Sequence, residues 1–186
     1  MSQVQQARET LEDLRQVTSK AELIGGRIKH FMSTGRKPSR TGFRIAKSLD
    51  DYATRMKQGE AYADNIGYTI QELPSGRESF SPDASYYLGP FPKNPMRFII
   101  GPPTFAAEVR SEGDYGDAAE EEMADKRADY FAAGTLVVWD VDPVAECVHV
   151  YRISEPAKPI TYRSGQLAEA EPAVPGWQVA VGWIFG

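Results

Sequence analysis

The sequence predicts an α/β domain with a mixed central β-sheet flanked by helices, and three observations predict it. Apolar and helical segments follow one another as strand, strand, loop, strand, helix, strand up to residue 141. That order makes segments 105–110 and 136–141 parallel neighbours joined by a right-handed helical crossover. A Gly25-Gly26 pair between apolar runs signals a hairpin, and two longer segments repeat their apolar residues at helical spacing. At 186 residues the chain fits a single domain spanning 1–186, with an N-terminal helix over 1–17, a core over about 20–153 and a C-terminal extension over 154–186.

The elements can be justified in order. Residues 2–17 carry Val4, Leu11, Leu14 and Val17 among charges at roughly helical spacing, hence a first helix. Thr18-Ser19-Lys20-Ala21-Glu22 is either a helix start or a turn that delivers Glu22 into a strand. Leu23-Ile24-Gly25-Gly26-Arg27-Ile28 is the hairpin. From about 39 to 57, Phe43, Ile45, Ala46, Leu49, Tyr52, Ala53 and Met56 form one helix face, and Gly59 is the expected stop. Strands are expected over 61–65, 67–73 and 79–87, with Pro74-Ser75-Gly76-Arg77 turning between the last two. Five prolines make 88–103 an irregular loop around Phe98-Ile99-Ile100. A strand over 105–110 leads into a helix over 113–133, acidic early and basic later as the helix dipole favours, with Gly134 as its cap. Strands over 136–141 and 147–153 follow, separated by an Asp142-Pro143 turn, and the Pro-rich tail holds short strand-like pieces.

Composition narrows the function. No apolar run approaches the roughly 20 residues that cross a bilayer. The opening Met1-Ser2-Gln3-Val4-Gln5-Gln6 has no signal-peptide core, so the expected location is the cytoplasm. Cys147 is the single cysteine and His30 and His149 the only histidines, which excludes a thiolate zinc centre and disfavours an all-histidine one. Any metal should be a hard cation on oxygen ligands, Mg²⁺ or Mn²⁺. A net charge of −5 argues against bulk electrostatic binding of nucleic acid. A local basic stretch remains: Arg27, Lys29, His30, Arg36, Lys37, Arg40, Arg44 and Lys47.

Asp83 and Glu108 carry the functional signal. Each sits in a short apolar stretch read as strand, where an ionised carboxylate costs several kcal/mol unless paired or bound to a metal. Two such groups in neighbouring strands repel, and a divalent cation between them removes the repulsion. Period-two alternation puts Arg110 on the face of Glu108, as a transition-state cation or as a plain ion pair with it. Lys126 follows on the next helix, with Glu122 and Tyr130 one turn to either side; for Lys126 alone the ordinary reading is a surface pair with Glu122. Asp83 read alone is equally a turn aspartate, and Glu22 read alone is a solvated glutamate. Glu108, in a strand expected to be central, is harder to dismiss as a glutamate on the solvent face of an edge strand. Glu22 is also a further candidate metal ligand. His149 and Cys147 read as packing, and Asp142 as a turn residue. Carboxylate, carboxylate and base together point to metal-dependent phosphodiester hydrolysis.

The motifs occur in the order found in a known family. Glu22-Leu23-Ile24-Gly25-Gly26, Ser81-Pro82-Asp83, Gly101-Pro102-Pro103, Ala107-Glu108-Val109-Arg110-Ser111, Lys126 to Tyr130, Gly134 and Trp139-Asp140-Val141-Asp142-Pro143 resemble the Uma-type restriction endonucleases of the PD-(D/E)xK nuclease superfamily. The resemblance covers about 20–151. It implies a restriction-endonuclease-like core, a DNA substrate and Mg²⁺, with Mn²⁺ as a substitute. By position it makes Asp83 and Glu108 metal ligands, joined by the Val109 carbonyl, and Glu22 the acid contributed near the N-terminus. The superfamily's lysine stands two residues after the second acid, where this chain has Arg110; the resemblance gives that role to Lys126, which would orient or deprotonate the attacking water. An arginine cannot serve as general base near neutral pH. The alternative is a noncatalytic protein that keeps the fold for nucleic-acid binding or assembly. Cutting both strands of a duplex would favour a homodimer.

Overall fold

The structure is a computed structural model and describes residues 7–186. Part of the expected first helix, Val4 included, lies outside that range. Within it the helix is short: α1 (Leu11–Arg15), opened by a capping box in which Thr10 and Asp13 satisfy each other's backbone N–H groups. Thr18 to Lys20 form the turn alternative and deliver Glu22 into β1 (Ala21–Ile24). This strand pairs with β2 (Arg27–His30) around Gly25 and Gly26, at φ 58° and 67°. Two successive positive φ values are what a two-residue hairpin turn demands and what glycine supplies.

The long helix α2 (Arg36–Met56) starts three residues earlier than expected, because Pro38 is tolerated within a first turn that needs no backbone donor there. Ile45, Ala46, Leu49, Tyr52 and Ala53 form its buried face; Phe43 and Met56, expected on that face, are each 51% exposed. It ends at Lys57 in the left-handed region, before Gly59.

The segments expected over 67–73 and 79–87 are the main correction. Only β4 (Tyr68–Thr69) survives of the first. The second breaks at Ser81-Pro82-Asp83 into β5 (Ser79–Phe80) and β6 (Ala84–Tyr87). Pro82 has no N–H for a ladder, and the chain uses the break to change sheets. β5 joins β4 and β7 (Ile99–Ile100) in a small sheet, while β6 enters the main one.

The main sheet runs β11-β10-β9-β8-β6-β3, where β3 is Glu60–Ala63, β8 Phe105–Val109, β9 Val137–Asp142, β10 Cys147–Arg152 and β11 Glu155–Arg163. β8 and β9 are parallel and the other pairs antiparallel, the mixed sheet the sequence predicts. The connecting helix α3 (Asp117–Ala133) begins four residues later than expected and ends at Gly134, φ 109°. Its last turn holds no base, so Lys126 and Arg127 sit mid-helix for a reason other than the dipole.

One sheet face packs against α2, α4 (Val181–Phe185) and the hairpin of β12 (Leu167–Glu169) and β13 (Gln178–Ala180), with Trp139 stacked on Trp177 at 4.9 Å. Trp177 thus seals the core, while Trp183 is 44% exposed. The other face packs against α3 and the small sheet, where Phe80 stacks on Tyr130 at 4.0 Å. Alternation along β8 and β9 sends Phe105, Ala107, Trp139 and Val141 to the first core and Ala106 and Val138 to the second. Glu108 and Asp140 therefore face α3.

Candidate active site

Two carboxylates, Asp83 and Glu108, line one cleft, and a third, Glu22, is buried against Lys126. Asp83 sits in the break before β6, locked to β8 at both ends: its N–H donates to the Ala107 carbonyl (3.1 Å), and its Oδ2 accepts from the Val109 N–H (2.7 Å). Glu108 lies next door on β8. Glu22 enters from β1 and is fully buried.

Lys126 joins them. Its Nζ stands 3.0 Å from Glu22 Oε1 and 3.0 Å from Glu108 Oε1. Glu122, its expected surface partner, pairs with Lys29 instead. One turn further along α3, Tyr130 donates its hydroxyl to Glu108 Oε1 at 2.6 Å. Glu22 has both oxygens occupied: Oε1 also accepts from the Ser81 N–H (2.9 Å), and Oε2 from the Arg77 guanidinium (2.5 Å). Arg77 is held in turn by Asp129 (2.7 Å). On the opposite side, Lys20 Nζ lies 2.6 Å from both Asp83 Oδ1 and Asp64 Oδ1.

The electrostatics separate the acids. Burial would raise the Glu22 carboxyl, but Lys126, Arg77 and the Ser81 N–H overturn that and hold it below the usual glutamate value. Glu108 goes the other way: burial and the charge of Asp83 raise it, and Lys126 and Lys20 offset this only in part. Burial pulls Lys126 down, yet the two glutamates win and its pKa stands above the ordinary lysine value. The Tyr130 hydroxyl is pushed well up by burial and by Glu108. Lys126 and Tyr130 are therefore donors near neutral pH.

Arg110 takes a different path from the one alternation suggests. β8 ends at Val109, and the Arg110 guanidinium turns to Asp140, with two contacts of 2.8 Å, and to Glu120. Arg127 adds a contact to Asp140 at 3.2 Å. The plain Arg110–Glu108 ion pair, the ordinary alternative for Arg110, is not formed, because Asp140, the register partner of Glu108 on β9, offers a buried carboxylate in fork geometry.

Asp83 and Glu108 open onto a cleft of about 560 Å³ that is also lined by Lys20, Thr34, Lys126 and Tyr130 and by Arg110 and Asp140. Among the described residues no three or more His, Cys, Asp and Glu side chains are grouped as a metal cage. Asp83 and Glu108 are nonetheless an all-oxygen donor pair. Mg²⁺ is commonly held by one or two carboxylates, with substrate phosphate and water completing the shell. As an all-oxygen pair that lines the cleft, Asp83 and Glu108 fit such a cation by donor type, while Glu22 is arranged as the anchor of Lys126.

Two further participants, Lys20 and Tyr130, were legible but unread as such. Lys20 stands two residues before Glu22, the spacing that puts alternate residues on one side of an extended segment. Tyr130 is four residues after Lys126, the spacing of a shared helix face. Arg77 gave no such signal, since a turn arginine is ordinarily solvated.

A mixed sheet flanked by helices, with paired acids at the end of an interior strand and a lysine delivered from the crossover helix, is a restriction-endonuclease-like architecture. The family model Uma2, described as "Putative restriction endonuclease", matches residues 8–182, and the chain belongs to that family. The crystal structure of a protein described as a putative nuclease belonging to DUF820, from Anabaena variabilis ATCC 29413, has the same fold. Its TM-score is 0.74 at 17% identity, over 95% of this chain and 97% of that one. No curated protein matches the chain. No helix among the described residues is long and apolar enough to cross a membrane.

Proposed function

We propose that the chain is a Mg²⁺-dependent endonuclease that hydrolyses phosphodiester bonds in DNA, with Mn²⁺ able to substitute. The observation that carries this reading is Lys126, held 3.0 Å from both Glu22 and Glu108 in a cleft that also contains Asp83. Family membership supports DNA as the substrate class.

Asp83 and Glu108 would hold the cation, which when bound supplies Lewis-acid polarisation of the scissile phosphate and a more acidic water. The chain's own groups do the rest. The Val109 N–H fixes Asp83, and Tyr130 fixes Glu108 by donating to Oε1. Glu22 and Arg77 form the buried base on which Lys126 rests. With two carboxylates beside it, Lys126 keeps its proton, so its role is to orient the attacking water and stabilise developing negative charge. Arg110 acts at one remove, by neutralising Asp140 beside Glu108. Two copies would be needed to cut both strands at one site, and the natural setting for this chemistry is the cytoplasm.

A second reading is a noncatalytic member in which Lys20 and Lys126 neutralise the acids permanently; their direct contacts with all three carboxylates favour it. Calorimetric titration of Mg²⁺ and Mn²⁺ separates the two, using wild type and Asp83→Asn/Glu108→Gln with supercoiled-plasmid nicking in parallel. Binding and nicking that both vanish in the double variant are expected. Absence of metal binding in the wild type would favour the noncatalytic reading.

A further inference from the structure

Among the described residues the cleft has no cation free to grip a polyanion. Lys20 and Lys126 are matched by Asp83, Asp64, Glu22 and Glu108, and Arg110 and Arg127 by Asp140 and Glu120. If a nucleic acid is held here, the attraction must come from outside the cleft, and the molecule offers one surface for it.

Seven of the chain's 21 lysines and arginines fall within residues 23–49, a stretch with no aspartate or glutamate in a chain of net charge −5. Most of that charge is on α2. Arg36, Arg40, Phe43, Arg44 and Lys47 recur at intervals of three or four, so they share one face of the helix, opposite the face packed on the sheet. All but the half-buried Arg44 are exposed. Among the described residues Arg36, Arg40 and Arg44 make no ion pair, while Lys47, at the far end of the stripe, pairs with Asp51 at 2.9 Å. Aromatic rings hold two of the guanidiniums in place: Arg40 lies over Phe43 at 5.5 Å and Arg44 over Trp183 at 5.7 Å. The Arg44 guanidinium also donates to the Trp183 carbonyl (2.7 Å).

The stripe starts at the mouth of the cleft. Ser33 and Thr34 line it, Thr34 contacts Ser111 on the far wall at 2.5 Å, and α2 begins two residues later. The inner face of α2 rests on the candidate acid: a Cβ on Gly42 would lie 3.5 Å from the Asp83 carbonyl oxygen. The opposite wall is of the other sign, since Asp114, Asp117, Glu120, Glu121 and Glu122 crowd the start of α3. A phosphate backbone leaving the cleft is repelled on the α3 side and attracted on the α2 side.

We propose that the Arg36–Arg40–Arg44–Lys47 face of α2 is the surface on which the nucleic-acid backbone is bound, through its phosphates and independently of sequence. The inference deepens the nuclease reading and rests on it for the nature of the partner. Lone helix charges are ordinarily just solvated, but three arginines with no ion pair among the described residues, in a stretch free of acids over 23–49 on an acidic protein and adjoining an acid-lined cleft, are what a polyanion track requires.

The test is fluorescence anisotropy of a labelled short duplex, and of the same strand alone, with the full chain in EDTA so that nothing is cut. Arg36→Ala/Arg40→Ala removes two exposed charges with no ion pair. Affinity is expected to fall by about 10- to 100-fold, and the slope of log K against log salt to flatten by about 2. Lys93→Ala/Lys158→Ala, which removes the same charge elsewhere on the surface, should bind as the wild type does. Melting temperatures of both variants establish that the fold is kept. Magnesium calorimetry on Arg36→Ala/Arg40→Ala should be unchanged, which separates the two readings. α2-dependent binding by a wild type that takes up no metal would leave this surface standing and the nuclease reading fallen. Wild-type affinity in Arg36→Ala/Arg40→Ala, equal loss in Lys93→Ala/Lys158→Ala, or no binding by the wild type to either probe would overturn it.

Discussion

Two charged clusters lie side by side between the main sheet and α3, and they are built on opposite terms. One gathers Glu22, Glu108 and Lys126, with Asp83 and Lys20 at its edge; the other gathers Asp140, Arg110, Arg127 and Glu120. They share their supports, since Glu108 and Arg110 are two residues apart in the chain and Lys126 and Arg127 are neighbours on α3. In the second, two guanidiniums close on one buried carboxylate, forks that match its geometry and never lose their protons. In the first, a single ammonium is divided between two glutamates, and the pKa of Glu108 is left raised. Both clusters are buried, so burial does not distinguish them. What does is the kind of cation and the state of the acid it faces. The Arg110 guanidinium forks onto Asp140, whereas Lys126 is shared between two glutamates, and burial with Asp83 keeps Glu108 raised, at the acid proposed to take a divalent ion.

The largest expected effect tests that division directly. Glu108→Gln should reduce plasmid nicking to background while the metal-free protein melts at or above the wild-type temperature. The amide oxygen can still accept from Tyr130, and a destabilised buried charge has gone. Asp140→Ala should do the reverse in stability. It leaves Arg127 without an ion-pair partner among the described residues and Arg110 with Glu120 alone, which costs about 3 kcal/mol and lowers the melting temperature accordingly. If Glu108→Gln proves as destabilising as Asp140→Ala, both clusters are structural and the comparison collapses.

The pH dependence sharpens it further, because the two glutamates on Lys126 have shifts of opposite sign. Glu22 is held below its unfolded value, so it contributes stability that is complete above about pH 4.5 and is lost as pH falls through its folded pKa. Glu108 is held above its unfolded value, so its ionisation opposes folding at neutral pH. That penalty is relieved as pH falls through the raised folded pKa towards about 4.5. In metal-free thermal melts, the deficit of Glu22→Gln should be greatest at neutral pH and shrink below pH 4.5. The advantage of Glu108→Gln should also be greatest at neutral pH, but vanish earlier in the descent. Identical pH profiles for the two variants would mean that Lys126 does not distinguish its partners.

What the sequence made legible follows the same physical division. Features set by local chemistry came through: the Gly25-Gly26 hairpin, the parallel pair 105–110 and 136–141 with its helix between, and the end of that helix at Gly134. Features set by distant parts of the chain did not. The segment 79–87 alternates polar and apolar residues as one strand would, yet Ser79, Ser81 and Ser85 are as buried as Phe80 and Tyr86, so its pattern does not reveal that it serves two sheets; Pro82 was the one local sign. Phe43 and Met56 fit a helical face by spacing but fall outside the stripe the sheet covers. Within the site, Asp83, Glu108 and Lys126 could be picked out because each conflicts with its apolar setting or matches a family motif. The partners were harder. Lys126 looked paired with Glu122 because both lie on one helix, whereas Glu22 reaches it from about 100 residues away. Arg110 looked paired with Glu108 because Asp140, though next to it in space, lies on another strand.

Lys20 offers the smallest effect and the finest test. Its ammonium bridges Asp83 and Asp64; burial pulls its pKa down, but Asp83, Glu108 and Asp64 outweigh that and hold it above the usual lysine range. It thus sits on the one oxygen of Asp83 that the Val109 N–H leaves open. A cation bound by Asp83 must compete with it, whereas nothing competes at Asp140, where the guanidiniums stay. Lys20→Met keeps the aliphatic stem and removes only the charge, so Mn²⁺ measured by calorimetry should bind several-fold more tightly, with the melting temperature little changed. Tighter binding would show that the ammonium cluster holds the place of a metal and gives it up on demand. Weaker binding would mean that Lys20 positions Asp83 for the cation instead, and that the two clusters differ less than their charges suggest.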